Sequence, residues 1–471
     1  MRAVCLALIA LAGMAATTSQ VPVPAKLNVL FMVADDLNTE MGSYGAPVQT
    51  PHLDRLAQRG VRFDRAYCQY PLCSPSRASF LTGRRPDETG VLRNPRRNQL
   101  SPHFRERIAD TVTLPQLFKE RGWLSARVGK LYHYGVPLHI GTASLDDYMS
   151  WDLTINPRGR DRDRLDQVFS LVPGQFGGTL SWLSDEGEDA EQTDGIGALE
   201  AVRLLERFKN EERPFFLAVG FYRPHTPYVA PKKYFERYPT DGIELPALSA
   251  DDNARRPEAA YASAKKEQDA MTDAQRREAI QAYSASTTFM DAQAGVVLDA
   301  LERLGLSEQT VVVFTSDHGY HLADHGLWQK MSLFERSARV PLIIASPDAR
   351  ANGQAARGIV ELVDLYPTLA ELSGLEAPDY LDGVSVRPML DDASKTVREA
   401  AFTQARDGYA VRTERWRYIE WAEGAKGAQL YDMERDANET TNLVENPEHA
   451  DTVAELQALL KTYRQAGAGS K

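Results

Sequence analysis

The chain has 471 residues, a formal net charge of -11, 43% hydrophobic residues and three cysteines. That length suits one large α/β domain, or a large domain with a smaller partner, whose core can hold the fold without disulfides. The acidic balance and the lack of a basic stripe exclude a nucleic-acid binder, so an anionic ligand has to be drawn by a few local Arg, Lys or metal charges.

At the N-terminus, Arg2, a short mostly apolar run over 4–14 and the small residues Ala15, Ala16, Thr17, Thr18 and Ser19 read as a secretory signal of about residues 1–20. The run is too short to span a bilayer, so no membrane anchor is expected and the mature protein is expected in the periplasm or outside the cell. Cys5 would leave with the signal, which keeps Cys68 and Cys73. A local bridge between these two is one reading and a buried thiol is another. Continuous apolar runs bounded by turn residues predict buried parallel strands at 29–34, 124–128, 215–220, 311–315 and 340–345. Between them Thr50-Pro51 opens a helix that closes at Gly60, and Thr113-Leu114-Pro115 opens one that closes at Gly122. Residues 246–271 are polar and read as a surface insertion. Thr272 with Gln275 forms a capping box that starts a long helix ending at Gly305. The alternation predicts an α/β fold with a large, mainly parallel, doubly wound sheet flanked by helices. The tail differs: 409–421 alternates as antiparallel strand material, Leu430-Tyr431-Asp432 follows, and an amphipathic helix covers about 450–464. A catalytic domain over 26–370 and a small C-terminal α+β subdomain over 371–471 are therefore expected.

Ligands of open α/β sheets sit beyond the carboxyl ends of the strands. Here the runs lead into Asp35-Asp36, into Gly129-Lys130 with His133 beyond, into Phe221-Tyr222-Arg223-Pro224-His225, and into Ser316-Asp317-His318-Gly319. Each alone is ordinarily a helix cap or a structural loop. Together they surround Cys73-Ser74-Pro75-Ser76-Arg77, which continues Ala78-Ser79-Phe80-Leu81-Thr82-Gly83-Arg84. This segment resembles the C-x-P-S-R signature of type I sulfatases. Residues 28–345 match that family, with the closest likeness to the iduronate-2-sulfatase branch. Phe221 to Pro227 and Ser316 to Lys330 resemble that branch's His-bearing loop and second metal segment, and His318 stands where many sulfatases carry Asn.

The resemblance implies an alkaline-phosphatase-like fold and a hydrolase of sulfuric esters. In that family a separate formylglycine-generating or anaerobic sulfatase-maturating enzyme oxidises the cysteine, here Cys73, to formylglycine (3-oxoalanine). Asp35, Asp36, Asp317 and His318 would hold one divalent cation, with residue 73 completing the shell. Three carboxylates point to calcium, and the imidazole leaves magnesium or another metal open. Arg77 would hold the residue-73 group, Lys130 and Lys330 would contact sulfate oxygens, His225 would protonate the leaving oxygen, and His133 would take the proton that releases sulfate. His318, His321 and His325 also give an H-x2-H-x3-H spacing that suggests zinc. The expected substrate is a sulfated saccharide, with the 2-O-sulfate of a uronic acid in first place and a sulfated algal polysaccharide as the alternative. A phosphonate or phosphate ester hydrolase of the same superfamily and an inactive sugar-binding homologue are the competing readings. Trp328 and Tyr222 are candidates for sugar contact or for core.

Overall fold

The computed structural model describes residues 26–96, 101–248 and 257–469; the expected signal at 1–20 and residues 249–256 of the polar stretch lie outside the described residues. A nine-stranded sheet is built from β1 (Asn28–Asp35), β2 (Val61–Tyr67), β3 (Leu124–Gly129), β4 (Leu153–Ile155), β5 (Phe215–Pro224), β6 (Thr310–Ser316), β7 (Arg339–Val340), β8 (Leu342–Ala345) and β9 (Ala355–Glu361). The order across it is β7-β2-β8-β6-β1-β5-β3-β4, with β9 on β2. From β6 to β4 every pairing is parallel, as expected of apolar runs buried on both faces.

One expected strand runs the other way. Residues 340–345 split at Pro341 into β7 and β8, and β8 pairs antiparallel with both β6 and β2. A parallel return needs a crossover of a dozen or more residues, usually a helix. Here the connection from β6 is spent on short turns and bridges that carry site residues, so the chain comes straight back.

Alternate residues of β1 feed two cores. Val29, Phe31 and Val33 pack on one face with Phe80, Leu117 and Phe118. Leu30, Met32 and Ala34 pack on the other with Leu205, Met290 and Ala294. The helices on these faces are α1 (Pro51–Arg59), α2 (Cys73–Thr82), α3 (Leu114–Glu120), α4 (Thr193–Phe208) and α5 (Asp273–Arg303). Thr113 with Gln116 and Thr272 with Gln275 close capping boxes at the starts of α3 and α5. Beyond the sheet, β10 (Ala400–Ala405), β11 (Gly408–Thr413), β12 (Trp416–Trp421) and β13 (Ala428–Asp432) form a four-stranded antiparallel sheet. Helix α6 (Ala450–Gly469) lays Leu456 and Leu460 onto Val411, Tyr418 and Leu430 of this sheet. No helix among the described residues is long and apolar enough to cross a membrane.

Candidate active site

Register brings the chemistry together. Ala34 lies beside Ser316 and Asp35 beside Pro224, while Gly129 lies beside Gly220, so β6, β1, β5 and β3 end side by side. The residues that follow each end therefore share one rim. At β1 the chain turns at once, because Asp36 is left-handed (φ 66°). Its N–H donates to Asp317 Oδ1 at 3.1 Å and its carbonyl accepts from Tyr283 Oη at 2.8 Å, which fixes a conformation costly for a non-glycine residue. At β3, Gly129 is needed as such: a Cβ there would lie 2.1 Å from the Gly220 carbonyl oxygen. The close approach lets Lys130 N–H donate to that carbonyl at 2.9 Å and sends the Lys130 side chain to Asp35.

Helix α2 delivers the motif. Cys73 is its first residue, every one of its ten residues is buried, and Gly83 ends it. Arg77, one turn on, has no exposed surface and spends its guanidinium on Asp317 Oδ2 (2.8 Å), the Lys130 carbonyl (2.6 Å), the Leu131 carbonyl (3.0 Å) and Asp35 Oδ1 (3.4 Å). It thus ties the ends of β1, β3 and β6 to α2; none of these guanidinium hydrogen bonds goes to Cys73 Sγ. Cys73 Sγ, standing where the reacting group of residue 73 would lie, receives Lys330 Nζ at 3.1 Å and lies 3.4 Å from His318 Nε2 and 3.8 Å from Asp36 Oδ1. Lys330 also pairs with Asp36. Burial raises the Cys73 thiol well above its ordinary range despite Lys130 and Lys330.

The donor set fits a divalent cation. Asp35, Asp36, Cys73 and His225 have ligand atoms within 4.8 Å of one another, and so do Cys73, Asp317 and His318. Asp36 Oδ2 is buried and accepts no hydrogen bond. With Nδ1 of His318 2.9 Å from the Gly319 carbonyl, Nδ1 carries the proton. The bare Nε2 lone pair then faces Asp36 Oδ1 at 3.3 Å and Asp317 Oδ1 at 3.6 Å, which is repulsive unless positive charge sits between them. Burial works against the Asp36 charge, yet with the Lys330 ammonium paired to it the carboxyl is held at about 2. For Asp35 burial prevails over Lys130 and the carboxyl rises to about 7. Burial also opposes the charge on Asp317, which Arg77 and the lysines keep well below the usual range.

The two remaining histidines lie in the wall of a cleft of about 750 Å³ above this cluster, with Arg96, His139 and the loop 174–178. His225 Nδ1 sits 2.6 Å from the Thr226 carbonyl, so its Nε2 faces the site, 3.7 Å from Asp36 Oδ2. His133 Nδ1 is buried without a hydrogen-bond partner. Burial, helped by Lys130 and Lys330, holds both imidazoles well below their ordinary range and hence neutral. Two larger cavities, of 890 and 810 Å³, lie against the C-terminal sheet and contain none of these groups. All ten residues singled out from the sequence thus meet at one rim.

Other readings are settled by position. Cys68 and Cys73 are both free, and Cys68 Sγ turns to the Ser337 carbonyl. The three-histidine cluster does not form: His321 bonds Ser332 Oγ at 2.7 Å and His325 stacks on Phe334. Trp328 and Tyr222 are core. Missed from the sequence was the support of the His225 loop. Asp194, at the start of α4, accepts from the Tyr222 and Arg223 N–H groups at 2.9 and 3.0 Å. Arg223, paired with Asp161, in turn donates to the carbonyls of His225 and Pro227.

A family model for sulfatases matches residues 27–375, and one for the C-terminal region of N-sulphoglucosamine sulphohydrolase matches residues 323–466. A sulfatase of Formosa agariphila is 34% identical over 447 residues, spanning 92% of this chain and 86% of that protein. The iduronate 2-sulfatase of Mus musculus is 34% identical over 402 residues, spanning 75% of this chain and 69% of its own. A protein solved in complex with its substrate D-glucosamine-2-N,6-O-disulfate shares the fold, with a TM-score of 0.75 at 23% identity over 94% of this chain and 98% of that one. Likeness of this extent decides the family, and the chain belongs to the sulfatases, hydrolases of sulfuric ester bonds.

Proposed function

We propose that the protein releases inorganic sulfate from a sulfated saccharide, with residue 73 as nucleophile after conversion of Cys73 to formylglycine, and that the preferred substrate carries a 2-O-sulfate on a uronic acid. The observation that carries the reading is the convergence on Cys73 Sγ of Lys330, His318 and Asp36 beneath a cleft walled by His133 and His225. The uronate assignment rests on the iduronate 2-sulfatase relative and on a cleft wall whose described residues include Arg96 and no carboxylate. The run at 4–14 supports export to the periplasm or beyond.

Asp35, Asp36, Asp317 and His318 would hold the divalent cation, calcium in first place. Bound there, it would supply positive charge against sulfate oxygens and acidify a hydroxyl beside it. On adding water, the aldehyde would supply two hydroxyls on one carbon, one to attack sulfur and one whose deprotonation re-forms the aldehyde and releases sulfate. The side chains present do the rest. Lys330 and Lys130 would bind sulfate oxygens as point charges, with Arg77 locking Asp317 and the β3 end in place. An anionic ester entering the cleft offsets the lysine charges on His225 and so favours its protonated form, which can donate from Nε2 to the leaving sugar oxygen. His133, neutral and with a bare ring nitrogen, is suited to take a proton from residue 73.

The test is sulfate release from a defined disaccharide bearing a uronate 2-O-sulfate, with protein co-expressed with a formylglycine-generating enzyme. Release that vanishes in Cys73→Ala is expected. No release with the aldehyde verified at residue 73 would reject the uronate assignment and direct assays to sulfated algal glycans and phosphonate esters.

A further inference from the structure

The ammonium of Lys330 reaches Cys73 from an unusual piece of backbone. Both flanking residues are left-handed without being glycine, Gln329 at φ 69° and Met331 at φ 74°. Such residues are strained and persist only when their surroundings hold them. The Met331 side is held by the chain leading to the nucleophile: its N–H donates to the Pro71 carbonyl at 3.2 Å, and Arg406 donates to its carbonyl. The Gln329 side is held by the polar stretch that the sequence placed on the surface. Gln268 Nε2 donates to Gln329 Oε1 at 3.1 Å, and Lys265 Nζ donates to the same oxygen.

Lys265 does a second thing. Its ammonium also donates to the carbonyl of Gly178, in the loop that walls the cleft over His133 and His225. That loop is seated by Gly177, whose absent side chain leaves the Val136 carbonyl room (a Cβ would lie 2.2 Å from it). Both acceptors of Lys265 are neutral oxygens, and among the described residues no carboxylate forms an ion pair with it. Burial, and after it Lys330, lowers its affinity for a proton, while Glu267 and Asp36 favour the charge without forming an ion pair with it. A part-buried ammonium with no directly paired carboxylate depends on its hydrogen bonds, and here both tie separate segments of the site together.

We propose that Lys265 is a positioning residue for the sulfatase reaction: by bonding Gln329 and Gly178 together it sets Lys330 on residue 73 and fixes the cleft wall relative to it. The proposal rests on the reading of Lys330 as a sulfate contact. Among the described residues, the hydrogen bonds of the Lys265 ammonium go to Gly178 and Gln329 and not to residue 73 or another group of the cluster.

The test compares wild type with Lys265→Met and Lys265→Arg on an aryl sulfate, 4-nitrocatechol sulfate, which is too small to need the sugar-reading wall. Misplacing a charged group by an ångström costs up to about 100-fold, so kcat is expected to fall roughly 10- to 100-fold in Lys265→Met with KM changed less than about threefold. Lys265→Arg, which keeps a donor for both oxygens, is expected to recover most of kcat, whereas a loss of general stability would not follow the donor. Unchanged kcat in Lys265→Met, or no recovery in Lys265→Arg at equal melting temperature, overturns the proposal. Should Lys265→Met fail to fold, Gln268→Leu removes a bond to the same Gln329 oxygen and is expected to lower kcat in the same sense; unchanged kcat there overturns it. If wild type itself turns over no sulfate ester, the function is what has failed, and amide hydrogen exchange decides the coupling. Faster exchange in both 175–178 and 328–331 in Lys265→Met supports it, and exchange unchanged in either segment overturns it.

Discussion

Residue 73 sets the demands on everything near it. A single hydroxyl at that position can attack sulfur and displace the sugar, but it has no second hydroxyl on the same carbon to expel sulfate. Cys73→Ser is therefore expected to turn over at most once and to end as a stable sulfate ester on the introduced hydroxyl. Intact mass would show the gain of one SO₃ group, and repeated turnover by that variant would refute the proposed role. Arg77 makes a different demand. Its guanidinium has no exposure and holds two carboxylates and three carbonyls at once, a fork that an ammonium cannot reproduce. Arg77→Lys is expected to lose nearly all activity, and Arg77→Ala to destabilise by about 3–5 kcal/mol by leaving Asp317 and Asp35 short of a counter-charge, read as a lower denaturant midpoint.

Helices here are tied to one another by groups far apart in sequence. Asp291 on α5 accepts from the His52 and Leu53 N–H groups at 3.2 and 2.8 Å and so caps α1, which no local side chain does. Burial raises Asp291 to about 7 against those two hydrogen bonds and Arg55, with Asp54 adding to the rise. Its folded-state pKa then exceeds its unfolded value of 3.8, so its contribution is present at low pH and is lost as pH rises from about 4 to 7. Asp291→Asn, which cannot titrate, is expected to gain stability relative to wild type across that window, followed by urea unfolding at successive pH values. Distance also decides what the sequence disclosed. Strands β1, β3, β5 and β6 were legible because both faces are buried and the runs are apolar throughout. Strand β2 was not, because Arg62, Asp64 and Arg65 interrupt it, and the direction of β8 leaves no mark on composition. Asp35, Asp36, Lys130, His133, His225, Asp317 and His318 were legible because each lies within a few positions of an apolar run's end, and Cys73, Arg77 and Lys330 through the resemblance of their segments to a known family. Lys265, 87 residues from Gly178 and 64 from Gln329, and Asp194, 28 from Tyr222, belong to no local pattern.

At the scale of the molecule, one rim of the sheet concentrates charge while the chain as a whole is acidic. If a divalent cation balances the carboxylates there, Asp317→Ala is expected to abolish activity together with metal content measured on purified protein. A chelator is expected to stop turnover in wild type, with recovery on adding back calcium; full activity in chelator would count against the ligand set. Burial of α2 has one more consequence. Residues 73 to 77 expose almost nothing, and the thiol lies under Lys330 and His318, behind the finished sheet. An oxidising enzyme that must grip this segment cannot reach it in the folded protein. Under the proposed conversion, timing is therefore written into the architecture: the chain would have to be modified while α2 is still unmade, and a molecule that folds first would stay unconverted. Purified, folded, unconverted protein is expected to gain no aldehyde from the maturating enzyme, whereas a peptide spanning residues 68–84 is expected to be converted.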